Sequence, residues 1–318
     1  MKPQDSSPPR SYPTQEGANA QESGHTREDP STDESLESLI ARLQKNALEE
    51  ENGPPSSEEL KAIIADLEDD LVTGYWTFAN YEDTDIRLMP ALVEKANRKY
   101  PGLNLKLALT AEKLTHALKE TIESGAKSSQ FIVNMGSRIH FAAMDYKVID
   151  DKISLIMFEP TTFNNISAWK LGIKINQTLA SLPLPPYSFA MAEMDIQRSS
   201  SECGMFSLSL AKKLHLESDK LTGMHKDNVK GVLCDPKTPL PAEKLDSYLP
   251  TTFYKHAQGR RRLEHYLKTN PEAAHETVNK KGETLTERFE KNLTEKGEKT
   301  VSVSPHKKRI TEYKSLMM

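Results

Sequence analysis

Residues 139–158 read IHFAAMDYKVIDDKISLIMF, and the fold turns on this stretch. Two runs rich in Ile, Val, Phe and Tyr, 139–148 and 153–158, flank the polar pair Asp150-Asp151. β-branched and aromatic residues on both sides of an Asp-Asp pair predict a β-hairpin. A two-residue turn at Asp150-Asp151 sets Ile149 opposite Lys152 and, counting outward, residue 142 opposite Glu159. His140 then lies diagonal to Glu159 on one face of the sheet, within reach of a long side chain. A slip of one residue would put the two on opposite faces.

Outward from the hairpin, Phe131-Ile132-Val133 opens the β-rich block. Downstream come a helix over 166–179, a rigid loop Leu182-Pro183-Leu184-Pro185-Pro186 and a strand over 187–196. A polar loop, 197–202, leads into a helix from Cys203 to 214 that carries Phe206, Leu210 and Leu214 on one side. Upstream, Leu36, Leu39, Ile40 and Leu43 recur at helical spacing. Gly53-Pro54-Pro55 breaks that helix, and a second follows with Ser56 and Glu59 as a capping box and Leu60, Ile63, Ile64, Leu67 and Leu71 as its stripe. Further helices are predicted over 89–98 and 111–124, and the chain beyond 220 reads as mixed, mostly helical or irregular. The fold class is α+β: a small central sheet with helices from both ends of the sequence.

Residues 1–33 are rich in Pro, Ser, Gln, Gly and Glu and hold no Ile, Leu or Val, so they are expected to be disordered. The organisation predicted is 1–33 disordered, 34–125 helical, 126–220 the core, and 221–318 completing the core and carrying a basic region. With a net charge of −4 over 318 residues, the chain as a whole has no electrostatic reason to seek nucleic acid. It has no apolar run long enough to span a membrane, and its start lacks the apolar core of a secretory signal peptide. Two cysteines exclude a disulfide scaffold, and the nine histidines show no zinc-ligand spacing, so no metal is expected. The charge is polarised. Residues 1–70 hold 6 Lys/Arg against 17 Asp/Glu, and residues 251–318 hold 15 against 9; such ends attract each other, or the basic end attracts a stronger anion, or the two are simply solvated faces.

Cys203 follows a strand and a polar loop and opens a helix, where unpaired backbone N–H groups and the helix dipole stabilise a thiolate. A small buried residue would read the same way at this position. Gly204 beside it permits close approach of another segment. A nucleophilic cysteine needs a base and the base an orienting group, roles that His140 and Glu159 fit if the hairpin register holds. Taken singly, each also reads as an ordinary core histidine and a strand-end carboxylate. In order along the chain, His140, Glu159 and Cys203, with Gln197 six residues before the cysteine, resemble the ubiquitin-like-protease clan of cysteine proteases. In that clan the Gln side chain donates to the oxyanion.

Three stretches, 139–163, 193–215 (EMDIQRSSSECGMFSLSLAKKLH) and 249–262 (LPTTFYKHAQGRRR), closely resemble the YopJ family of bacterial type III secretion effectors. The resemblance runs from about residue 34 to the C-terminus. It implies a ubiquitin-like-protease-like catalytic core with a helical regulatory module built from N- and C-terminal segments. It also implies an acetyltransferase rather than a protease: acetyl would pass from acetyl-CoA to a Cys203 thioester, then to Ser, Thr or Lys of host kinases of the MAP kinase kinase type, in the host cytoplasm. A secretion chaperone is a candidate partner of the acidic N-terminus. The resemblance further implies activation by inositol hexakisphosphate. The residues offer two basic clusters for such a polyanion, Lys255, His256, Arg260, Arg261 and Arg262, and His306, Lys307, Lys308 and Arg309; Arg87 is a candidate from the N-terminal segment. Acetyl-CoA is expected between the core and the C-terminal region. The competing readings are a cysteine protease acting on ubiquitin-like conjugates and a non-catalytic kinase-binding scaffold.

Overall fold

The computed structural model describes residues 55–318 apart from 136–138, 236–237 and 297–298. The segment 1–33, the helix expected around 36–43 and most of its Gly53-Pro54-Pro55 break lie outside the described residues. Among the described residues, strands β1 (Leu105–Ala108), β2 (Ser128–Val133), β3 (Ala142–Ile149), β4 (Lys152–Glu159) and β5 (Tyr187–Glu193) lie side by side in that order. The pairs β1–β2 and β4–β5 are parallel; β2–β3 and β3–β4 are antiparallel.

Asp150 and Asp151 both have left-handed backbone, with φ of 47° and 58°. Positive φ at both central residues is what a two-residue I′ turn requires. The register follows the hairpin reading, with Ile149 opposite Lys152 and Ala143 opposite Phe158. β3 begins at Ala142, so His140 stands just ahead of the strand rather than within it. β5 ends at Glu193, short of the predicted 196, where Asp195 turns to a φ of 52° and the chain bonds instead to Pro160 and Thr161 carbonyls. β1 was not foreseen.

Period-two alternation fills both faces of the sheet. Phe131, Val133, Met144, Leu155 and Met157 pack with Leu114, Leu118, Leu171, Ile175 and Leu179 of helices on one side. Ile132, Ala143, Ile156 and Phe158 pack on the other side against a larger cluster. The helices in chain order are α1 (Ser57–Thr73), α2 (Glu82–Lys99), α3 (Ala111–Glu123), α4 (Ile166–Ala180), α5 (Cys203–Leu216), α6 (Thr222–Val229), α7 (Ala242–Leu245), α8 (Arg260–Thr269) and α9 (Leu285–Lys291). A hairpin of β6 (Leu293–Lys296) and β7 (Lys299–Ser302) precedes the last helix, α10 (Ser304–Ser315).

Three helices depart from their sequence reading. Ser56 caps α1 by accepting from the Glu59 N–H at 3.2 Å, but Glu59 spends its carboxylate on Arg87 instead of closing the capping box. α2 begins two turns earlier than predicted, because its acidic first turn and the internal Pro90 hide the stripe, although acidic residues suit a helix N-terminus. α5 is buried on nearly every side rather than along one stripe, because it lies between the sheet and helices α2 and α10. The N- and C-terminal segments meet: His306 Nε2 donates to the Leu67 carbonyl at 2.9 Å, and Lys314 pairs with Glu68.

Candidate active site

His140 and Glu159 come together at the open end of the β3–β4 hairpin. His140 Nε2 lies 2.8 Å from Glu159 Oε2. The other carboxylate oxygen accepts from the Thr161 backbone N–H at 2.9 Å and the Thr161 hydroxyl at 2.7 Å. Glu159 is fully buried, so these bonds supply what water would, and they fix the carboxylate on the ring. With Nε2 engaged by Glu159, the ring also interacts with the Cys203 side chain. Burial works against an imidazolium here. Interactions with the Cys203 side chain and the Glu159 carboxylate nevertheless push His140 up to about 10. The site therefore favours a protonated ring beside the Cys203 side chain, an arrangement suited to a Cys–His pair.

Cys203 is the first residue of α5, as its sequence position implied. The close approach expected at Gly204 is made by α2: a Cβ on Gly204 would sit 2.8 Å from Asp85 Oδ2. The loop before the cysteine is held from the C-terminal region. Gln258 Oε1 accepts from the backbone N–H groups of Arg198 at 2.7 Å and Ser199 at 3.0 Å. Gln197 is buried in this loop and donates through Nε2 to the Ser199 carbonyl at 2.7 Å. A cavity of about 390 Å³ opens beside the loop, lined by Trp76, Arg198, Ser199, Gln258, Gly259, Thr300 and Val301. Thr161 and Gln258 were missed in the sequence, where a Thr two residues past a strand and a Gln in a loop carry no distinguishing spacing.

Comparison with known proteins decides what this geometry belongs to. The family profile described as YopJ Serine/Threonine acetyltransferase matches residues 60–315. The chain belongs to the YopJ family of serine/threonine acetyltransferases. It is 52% identical over 263 residues to the serine/threonine-protein acetyltransferase YopJ of Yersinia pestis, covering 82% of this chain and 91% of that protein. The Yersinia pseudotuberculosis YopJ matches to the same extent. A deletion variant of AvrA, solved with IP6 and CoA, superposes with a TM-score of 0.80 at 47% identity, over 83% of this chain and 99% of that one. HopZ1a, solved in complex with IP6 and CoA, shares the fold with a TM-score of 0.67 at 21% identity, over 87% of this chain and 98% of that one.

This YopJ-family chain also gathers cations. Lys255, His256 and Lys308 converge, joined by Lys213 of α5 and Arg288 of α9. Arg288 Nε donates to the Lys255 carbonyl at 3.0 Å, and its Nη2 to Ser304 Oγ at 3.1 Å. Burial, then repulsion from Lys308 and Arg288, brings Lys255 down to about 8. Lys213 is pushed well below its usual range by burial first and by Lys255 next, offset in part by Glu217. His256 donates or accepts at Ser304 Oγ through Nδ1, 2.8 Å away, while its buried Nε2 has no partner among the described residues. Lys307 reaches Asn292 Oδ1 at 3.0 Å, and Arg261 is exposed at the start of α8.

Other residues expected to hold phosphate are engaged elsewhere. Arg262 is buried, donating to Asp246 through Nη1 at 2.8 Å and to the Met194 carbonyl through Nε at 2.9 Å. Arg309 is buried against Asp85. His306 is buried between Trp76 and Tyr81. Arg260 pairs with Glu290 on the surface, and Arg87 with Glu59. Lys213 and Arg288 had been overlooked. Lys213 could have been found, because it lies three residues past Leu210 on the apolar stripe of α5, where a lysine is out of place.

No helix among the described residues is long and apolar enough to cross a membrane. No cluster of three His, Cys, Asp or Glu side chains suited to a metal stands among them either.

Proposed function

We propose that this chain moves acetyl from acetyl-CoA to serine or threonine hydroxyls of host kinases of the MAP kinase kinase type, through a thioester on Cys203. The observation that carries the reading is His140 held between Glu159 and Cys203 at the N-terminus of α5, in a chain of this family. The Cys203 sulfur attacks the acetyl carbonyl, the carbon–sulfur bond to CoA breaks, and the departing thiolate takes the proton from His140. In the second half His140 removes the proton of the acceptor hydroxyl, the hydroxyl oxygen takes the acetyl group, and Cys203 leaves as thiolate. Glu159 orients the ring throughout, and Gln197 donates to the oxyanion formed in each half. An acetylated hydroxyl cannot accept phosphate, so the target kinase is held off.

The segment 126–220 forms the catalytic part of this reading, and 34–125 with 221–318 the regulatory part. Acetyl-CoA fits the cavity beside Gln258 and Ser199, which adjoins the nucleophile loop and joins N-terminal, core and C-terminal residues. The like-charged cluster of Lys213, Lys255, His256, Arg288 and Lys308 fits inositol hexakisphosphate: its cations repel one another, and a buried imidazole nitrogen there lacks a partner. Residues 1–33 fit a type III secretion segment with a chaperone as partner, and action in the host cytoplasm follows from that route.

The test is intact-mass spectrometry of a kinase-kinase substrate incubated with the full chain and acetyl-CoA, with and without inositol hexakisphosphate, alongside Cys203→Ala. Acetyl additions that need both Cys203 and the inositol phosphate are expected. Cleavage of a ubiquitin-like fusion without acetyl addition would overturn the reading in favour of a protease.

A further inference from the structure

Arg309 is fully buried on α10, yet none of its bonds serves α10. Its Nε and Nη2 form a fork on Asp85 at 2.9 and 3.0 Å, and Nη2 also donates to the Ser201 carbonyl at 2.6 Å. Nη1 lies 2.9 Å from the Glu202 carboxylate, off the direction of a hydrogen bond, so both Glu202 oxygens are buried without one. Tyr313 donates to Asp85 Oδ1 at 2.5 Å, and the guanidinium lies 4.5 Å above the Tyr81 ring. Ser201 and Glu202 are the two residues before the nucleophile, and Asp85 is the side chain pressed against Gly204, the residue after it. One guanidinium thus grips the chain on both sides of Cys203.

We infer that Arg309 is a positioning residue for Cys203, fixing the 201–204 backbone and cancelling the two carboxylates buried behind the nucleophile. The inference rests on the reading of Cys203 as the acetyl-accepting thiol. A bidentate guanidinium–carboxylate pair is rigid, whereas a lysine supplies charge without the fork. Electrostatically, Asp85 and Glu202 would oppose a thiolate; burial already pushes the Glu202 carboxyl up, and Arg309 and Asp85 pull it in opposite directions. From the other side the sulfur meets His140, which has Glu159 behind it and Glu82 nearby. The arrangement also gives α10 two adjacent tasks, since Lys308 faces the cationic cluster while Arg309 holds the nucleophile loop. Docking of α10 on a polyanion is thereby transmitted to Cys203 through a single residue step.

The test measures Cys203 alkylation by iodoacetamide against pH, read by peptide mass, in the full chain with inositol hexakisphosphate present, together with kcat and KM for acetyl transfer. Arg309→Gln is expected to raise the alkylation midpoint by about one pH unit, the scale of an uncancelled nearby charge. It should also lower kcat by roughly tenfold with KM for acetyl-CoA little changed. Adding Glu202→Gln to that variant should bring the midpoint back, because one of the uncancelled carboxylates is gone. Asn228→Ala, which removes buried hydrogen bonds to Ser154 and Leu155 far from the loop, should lower thermal stability and leave the midpoint in place. If Arg309→Gln does not fold, the Glu202→Gln single variant carries the test, with a lowered midpoint expected and an unmoved one overturning the inference. An unmoved midpoint in the Arg309 variant, or an equal shift in Asn228→Ala, overturns the inference. Acetyl transfer that persists in Cys203→Ala would instead overturn the catalytic reading, whatever the Arg309 variants do.

Discussion

Gly204 and Asp85 approach each other more closely than any side chain at position 204 would allow. A Cβ built on Gly204 meets Asp85 Oδ2 at 2.8 Å and Asp85 Cβ at 3.2 Å, and Asp85 cannot retreat because Arg309 and Tyr313 hold it. Gly204→Ala therefore has to break that grip or shift the start of α5. The expected cost is about 1–3 kcal/mol of stability, the usual penalty for overpacking a filled core. Urea unfolding measures it, and a variant as stable as the parent would show that the contact has slack.

Glu159→Gln tests the orienting carboxylate. The amide keeps the shape and an acceptor oxygen but loses the charge that favours the imidazolium. Acetyl transfer should fall by about 10² or more in kcat, the usual scale for losing general acid–base function. Stability should respond to pH as well. His140 is raised from 6.5 to about 10 in the folded protein, so its contribution is fully present below pH 6.5 and is lost as the pH climbs through 10. The stability gap between parent and Glu159→Gln should accordingly be widest near pH 6 and shrink toward pH 10. Urea titrations across that range would show a constant gap if the carboxylate does not act through the ring.

What the chain disclosed in advance was local. Asp150-Asp151 fixed the hairpin register, and the register alone placed Glu159 beside His140, because sheet geometry converts residue counting into distance. The helix boundary at Cys203 was equally legible from the polar loop before it. Arg261, Arg262 and Arg309, by contrast, look alike in the sequence. Arg262 and Arg309 are internal because Asp246 and Asp85 wait for them, and Asp85 lies 224 residues from Arg309 along the chain. Nothing local marks an arginine whose partner is supplied by the tertiary fold. β1 escaped for a different reason: four residues including Lys106 carry too little pattern, and pairing with β2 makes the strand.

Lys213→Met tests the cationic cluster. The lysine is buried among like charges, with its ammonium donating to the Thr252 carbonyl. Replacing it with an apolar side chain of similar length removes a desolvated, repelled charge, so the protein without added anion should gain about 1 kcal/mol or more. The same change should shrink the rise in Tm that inositol hexakisphosphate gives the parent, since one of the cations that would face the phosphates is gone. Thermal unfolding with and without the inositol phosphate reads both effects. A variant less stable in its absence, or equally stabilised by it, would mean that Lys213 is not part of an anion site.

Gln197→Ala separates oxyanion stabilisation from positioning. One N–H of the Gln197 amide goes to the Ser199 carbonyl, which fixes the side chain and leaves the second N–H to meet a developing negative oxygen. Removing a single oxyanion donor costs about 10² to 10³ in kcat where the site is otherwise intact. The nucleophile itself should be untouched, because His140 and Glu159 do not contact Gln197 in the hydrogen-bond network around the thiol. Iodoacetamide alkylation of Cys203 should then run at the parental rate while acetyl transfer collapses. Loss of both together would instead mean that Gln197 acts by holding the 197–199 loop, with Gln258 and Ser199, rather than by meeting the oxyanion.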